Sequence, residues 1–196
     1  MNMKMYFNSV NLVFKKQPTI VWELEGDHDI SHFGSELESF GIGQYTRKMV
    51  EETTFNRLRI NYVKTLANYA SEVNYRIFYT KYLVAYAEFN DCPELYTYPL
   101  SSQQTELARG TVEIGTEYND IVIETDNLVV PAGNVVCVLL YGNGIDKLAA
   151  KRSINAGYAF GNSVIKNDTT EIEGDDKWTR YSPSYYAMPA LTLLKI

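Results

Sequence analysis

The chain has 196 residues, a net charge of −6, 45% hydrophobic and 21% charged residues. A domain of this length buries roughly two-thirds of its unfolded surface, enough to fold without disulfides or a structural metal. The composition excludes a disordered, collagen-like or coiled-coil chain, and the acidic balance speaks against a nucleic-acid footprint, which takes a basic face to neutralise phosphates.

In chain order, the first forty residues differ from the rest. Asn11–Phe14 and Thr19–Leu24 read as short strands around the turn residues Gln17 and Pro18. Glu25–Asp29 is a polar turn, and Ser35–Glu38 has the composition of one helical turn. Residues 1–40 are expected to form an N-terminal arm packed on the domain that follows. From Gly41 onward the pattern is β. In Phe55–Val63, Leu58, Ile60 and Tyr62 alternate with Arg57, Arg59 and Asn61; in Val73–Tyr79, Val73, Tyr75, Ile77 and Tyr79 alternate with Asn74 and Arg76. Leu66–Ser71 between them is a loop or a short helix. Tyr82–Phe89 is a strand that ends in a turn at Asn90–Pro93.

Further strands are expected at Thr111–Ile114, Asp120–Glu124 and Leu128–Val130. Pro131–Asn134 is a turn. Val135–Tyr141 is apolar without alternation, which predicts a strand buried on both faces. Gly142–Gly144 ends it, Gly144–Lys151 has helical composition for about two turns, and Ala190–Leu194 is the last strand. Many short strands with turns between them, and no long amphipathic helix, predict an all-β sandwich or barrel. Residues 41–196 are expected to form one domain, a sandwich of two packed antiparallel sheets.

Cys137 sits inside the apolar run and reads as a buried thiol, while Cys92 falls in the turn before Pro93. With no CxxC and no Cys/His cluster, a zinc site is not expected. Arg57, Arg59, Lys64 and Arg76 occupy the polar side of strands, either as a solvated face or as a local anion-binding strip. His28 and His32 are four apart without the context of a metalloprotease helix, and read as surface residues. No nucleophile elbow, phosphate loop or dinucleotide-binding glycine pattern occurs. Paired carboxylates on facing strands cannot be located from sequence, which keeps a glycan-acting enzyme as a third reading behind two non-catalytic ones.

The acidic run Asn167–Asp176 offers hard oxygen ligands of the kind calcium takes, with Asp168, Asp175 and Asp176 as candidates. Its spacing is not that of an EF-hand loop, and a solvated acidic loop is the competing reading. No other cofactor is expected. Tyr accounts for 16 residues against 8 Phe and 2 Trp. It suits both sheet surfaces and stacking on sugars. Tyr158, Phe160, Trp178, Tyr181, Tyr185 and Tyr186 fall in a stretch rich in turn residues and are the candidate ligand-binding residues, either stacking on a glycan or plugging the end of the sandwich.

Leu128–Val136, with its Pro-Ala-Gly turn into the core strand, together with Thr53–Ile60, Val73–Phe89, Pro93–Leu95, Gly157–Phe160 and Tyr186–Leu191, resembles a jelly-roll module of carbohydrate-binding proteins and of phage head and tail fibres. The resemblance covers about three-quarters of the chain and implies a jelly-roll connectivity with a short N-terminal arm. The N-terminus lacks a signal-peptide core, and no apolar run approaches the ~20 residues that span a bilayer. Together these imply a non-catalytic virion component made in the host cytoplasm: a capsid decoration, head-fibre or tail-fibre protein. Its partners would be other virion proteins, further copies of itself (a trimer favoured) and a cell-surface glycan, with neither nucleic acid nor membrane. The alternative is a stand-alone carbohydrate-binding module.

Overall fold

The structure, a computed structural model, describes residues 17–23, 33–39, 41–46, 48–81, 101–142, 147–153, 163–166, 178–180 and 191–196. Among these, the strands are β1 (Thr19–Glu23), β2 (Phe33–Ser39), β3 (Gly41–Tyr45), β4 (Thr53–Thr65), β5 (Ser71–Lys81), β6 (Gln104–Ile114), β7 (Asn119–Val130), β8 (Asn134–Tyr141), β9 (Leu148–Ser153), β10 (Ser163–Lys166), β11 (Trp178–Arg180) and β12 (Leu191–Lys195). They form two antiparallel sheets packed face to face, the sandwich rather than the barrel that the strand pattern also allows. The first runs β1-β12-β4-β9-β2 with β7 also on β4; the second runs β11-β10-β3-β8-β5-β6.

β4 organises the first sheet. Leu58 and Ile60 each pair with β12 and with β7, so those strands lie on opposite edges. Val63 pairs with β7 and with β9, so β9 continues the edge that β12 leaves. Between Ile60 and Val63, β4 advances three residues while β7 advances two. This bulge keeps Ile60 and Val63 both on the inner face and holds Tyr62 at a φ of 54°. A tyrosine in that left-handed region costs about 1–3 kcal/mol.

The core lies between the sheets. Phe55, Leu58, Ile60 and Val63 of β4, Ile121, Ile123, Leu128 and Val130 of β7, and Leu191 and Leu193 of β12 meet Val73 and Ile77 of β5, Ile114 of β6, and Val136, Val138 and Leu140 of β8. β8 is buried on both faces, as its lack of alternation implies: Val135, Cys137 and Leu139 on its outer face are fully buried too, beside Phe78. Cys137 is a buried thiol outside any disulfide. On the inner face, Tyr75 lies against Gly110 of β6, its cross-strand partner. A Cβ at residue 110 would stand 2.7 Å from the Tyr75 hydroxyl oxygen, so glycine there makes room for the ring.

The chain changes sheets at both ends. At one end, the β3–β4 and β7–β8 connections run side by side: Thr46 N–H donates to Val136 C=O (2.8 Å), Met49 N–H to Asn134 C=O (2.8 Å), and Gly133 N–H to Met49 C=O (2.8 Å). The expected turn at Pro131–Asn134 forms there, with Gly133 at φ 81°. At the other end, Thr65 N–H donates to Gly115 C=O (2.9 Å) and Leu66 N–H to Lys147 C=O (2.9 Å). Those bonds tie the β4–β5 crossing to the chain leaving β6 and to the chain entering β9.

Several local expectations are corrected. Ser35–Glu38 lies in strand β2, and Leu148–Lys151 lies in strand β9 rather than in a helix. Helix propensity is worth only tenths of a kcal/mol per residue, whereas β9 is paired on both edges and buries Leu148, Ala149 and Ala150 completely. Leu66–Tyr69 forms bends, as the loop alternative expects. Leu128–Val130 continues β7, and β6 begins seven residues before Thr111. The N-terminal strand at residues 11–14, the strand at 82–89 and the turn at 90–93 lie outside the described residues.

Two substitutions separate packing from backbone effects. Phe55→Ala, at a fully buried position, is expected to lower the unfolding free energy by about 3–5 kcal/mol. Gly133→Ala meets no atom within 4 Å, and is expected to cost about 1–2 kcal/mol through its positive φ alone. Urea unfolding with an unchanged m-value checks both.

Candidate functional site

The outer face of the first sheet carries two complete rows of side chains across four strands. One row runs Glu23, Thr192, Arg59, Val122 from β1 to β7; the other runs Ile20, Leu194, Arg57, Glu124. Within the first, the Thr192 hydroxyl donates to Glu23 Oε1 (3.2 Å) and Arg59 Nη2 lies 3.6 Å from the same oxygen. Within the second, Arg57 Nη2 donates to Glu124 Oε1. Arginines here lie along the sheet rather than standing out from it, because their carboxylate partners are on other strands of the same row. Arg57 and Arg59 are thus paired with carboxylates of this chain.

The outer face of the second sheet holds a denser cluster. Arg76 and Arg109 are directly opposed across β5 and β6, a repulsive pairing taken alone. Glu106 reconciles them. Arg76 Nε donates to its Oε2 (3.0 Å), and Arg109 donates through Nε to Oε1 (2.7 Å) and through Nη2 to Oε2 (2.5 Å). Glu106 and Arg109 are three apart, yet both reach this face, because β6 advances two residues between the partners of Phe78 and Ile77. The Arg109 fork chiefly holds the Glu106 carboxyl below the usual glutamate range, partly opposed by burial and assisted by Arg76. The Arg76 guanidinium lies over the Phe78 ring, 5.2 Å from its centroid. Burial pushes the neighbouring Tyr141 phenol up, against the pull of Arg109 and Arg76.

A third surface lies at the end where β4 crosses to β5. The Lys64 ammonium stands 4.5 Å from the centroid of the Tyr118 ring, and the crossing exposes Leu66 and Tyr69, the latter by 60%. Its base is fixed by the Thr65 and Ser71 hydroxyls, 3.1 Å apart, and by the Ala67 N–H donating to the Thr65 hydroxyl (3.1 Å).

Of the aromatic residues singled out from sequence, Trp178 opens β11, where it pairs with Lys166 of β10. Tyr158, Phe160, Tyr181, Tyr185 and Tyr186 lie outside the described residues, as do the calcium candidates Asp168, Asp175 and Asp176, both histidines and Cys92. Among the described residues no group of three or more His, Cys, Asp or Glu side chains is placed to hold a metal, and no helix is long and apolar enough to cross a membrane. Sequence reasoning marked Arg76 but missed its partners. Glu106 and Arg109 stand at helical spacing in a strand whose start the pattern did not show, and only the bulge makes them neighbours.

No protein-family model matches the chain, and no curated protein does. Similar solved structures include the cysteine protease and lectin-like domains of a surface layer associated protein of Clostridium difficile, at 14% identity and a TM-score of 0.46, covering 81% of this chain and 32% of that one. A clostridial cysteine protease after propeptide cleavage is similar at 15% identity and a TM-score of 0.48, covering 82% and 37%. A CocE/NonD family hydrolase from Staphylococcus aureus follows at 9% identity and a TM-score of 0.34, covering 92% and 37%. This chain thus spans about a third of each. At these identities and TM-scores the likeness assigns neither a family nor an activity.

The Glu106 cluster predicts a pH dependence of known sign. A carboxyl lowered in the folded state binds fewer protons there than in the unfolded chain. Its stabilisation is therefore full above the ordinary glutamate range and is lost as pH falls through the depressed folded value. Glu106→Gln is expected to remove this part of the acid sensitivity and to cost about 1 kcal/mol or less at neutral pH, as exposed ion pairs do. Urea midpoints of both proteins, measured between neutral and acid pH, check it.

Proposed function

We propose that this chain is a non-catalytic sandwich module that works by assembly and recognition, as a structural component of a phage particle: a capsid decoration, head-fibre or tail-fibre protein. The observation that carries the non-catalytic part is how the carboxylates on the sheet faces are used. Glu23, Glu106 and Glu124 each lie against a guanidinium. Glu106 is held below its ordinary range, opposite to the raised value a general acid needs. These groups order the surface instead of preparing it for proton transfer.

The particle role rests on the resemblance carried by residues 128–136 and its companion stretches, and the expected partners are other particle proteins and further copies of this chain. The purified protein is expected to form a stable trimer or larger assembly in light scattering, because closed oligomers are how such surfaces become buried. A monomer across the micromolar range counts against the assembly role.

A second reading, a stand-alone carbohydrate-binding module, is favoured by the exposed Tyr69 ring beside Leu66 at the crossing end. Flat aromatic faces projecting from loops suit the apolar face of a sugar ring. On this reading Tyr69→Ala weakens retention on an immobilised polysaccharide about tenfold, the loss of roughly 1.4 kcal/mol, without moving the thermal midpoint. Equal retention of both proteins removes Tyr69 from the reading.

A further inference from the structure

We infer that the outer face of the first sheet, over the two rows Glu23–Thr192–Arg59–Val122 and Ile20–Leu194–Arg57–Glu124, is where a second copy of this chain packs. The inference deepens the assembly reading above and rests on it.

Three observations point to that occupant. The first is electrical. The chain carries a net charge of −6, so two copies repel over most approaches. Within these rows two arginines meet two glutamates, so the charges of the two rows cancel. A partner with this same composition can approach here at the least cost. The second is shape. Arg57 and Arg59 are tied to carboxylates on other strands, one on β7 and one on β1, which lays their stems along the sheet. Thr192, between Glu23 and Arg59 in the first row, is completely buried. The surface is therefore broad and ordered before any contact, which lowers the entropy lost on association.

The third is the placement of apolar groups. Ile20 is 55% exposed, Val122 46% and Val129 44%. Val122 ends the first row on β7, whereas Ile20 begins the second on β1 and continues into Leu194. Val129 follows on the same side of β7, opposite Thr54. Apolar side chains thus occupy opposite corners of an ion-paired centre. That arrangement suits packing of one sheet face on another, with hydrophobic contacts supplying the energy and the ion pairs the register.

The test compares light-scattering mass over a dilution series for the wild-type chain, Ile20→Glu, Val122→Glu and the control Val50→Glu. Val50 is 92% exposed and lies outside both rows. The first two variants sit on different strands at exposed positions, and circular dichroism with a thermal midpoint verifies that each has folded. The expected result is a wild-type oligomer that dissociates at least tenfold more readily in Ile20→Glu and Val122→Glu, with Val50→Glu unchanged. A wild-type oligomer that neither folded variant loosens overturns this face as the interface and leaves the assembly reading standing. A wild-type monomer throughout overturns both.

Discussion

Phe55, Leu58, Ile60 and Val63 on β4 belong to one buried cluster with Val136, Val138 and Leu140 on β8, and the rest of the molecule accommodates the meeting of those two strands. Side chains alternate with a period of two, so a slip of one residue in β4 would turn its apolar set outward. The registers of β7 and β12 on β4, and of β3 and β5 on β8, follow from keeping that layer closed. Where the count of residues does not fit, the chain inserts a bulge instead of giving up the layer. Tyr62, held in the left-handed region between Ile60 and Val63, is the cost of doing so on β4.

The same constraint explains the outer faces. Once the apolar positions are committed inward, the alternate positions of β4, β5 and β6 carry Arg57, Arg59, Arg76, Glu106 and Arg109, which hydrogen bonding and ion pairing must then settle. They are settled across strands, Arg57 and Arg59 with carboxylates on β7 and β1, and Arg76 and Arg109 on a shared Glu106. Such pairs add little stability one at a time. Their effect is to hold long side chains in one arrangement, which gives each sheet a defined outer surface, while the crossing end presents Leu66, Tyr69 and the Lys64–Tyr118 pair.

The two sheets are also joined where the chain passes between them. The β3–β4 and β7–β8 connections lie side by side and exchange backbone hydrogen bonds through Thr46, Met49, Gly133 and Asn134. Met49 is buried among the core residues at that end. The arrangement ties the two connections together at the end of the sandwich, and it gives the Pro-Ala-Gly turn a structural role independent of what the protein binds.

From the sequence alone come the all-β class, the inward sets of β5 and of β4 as far as Ile60, the turn at Pro131–Asn134 and the double burial of β8, because alternation and its absence are local patterns that the pleat converts directly into faces. The alternation also sets Tyr62 beside Ile60, and the bulge gives that inward place to Val63 instead. What only the tertiary structure decides is whatever depends on a partner strand. Leu148–Ala150 resembles a helix until β4 and β2 flank it. Glu106 and Arg109 share a site only because β6 bulges, and Glu23 meets Arg59 only because β12 lies between their strands. Those contacts join residues far apart in the chain, and no local pattern records them: their energy comes from pairing and burial that exist only once the sheets have formed.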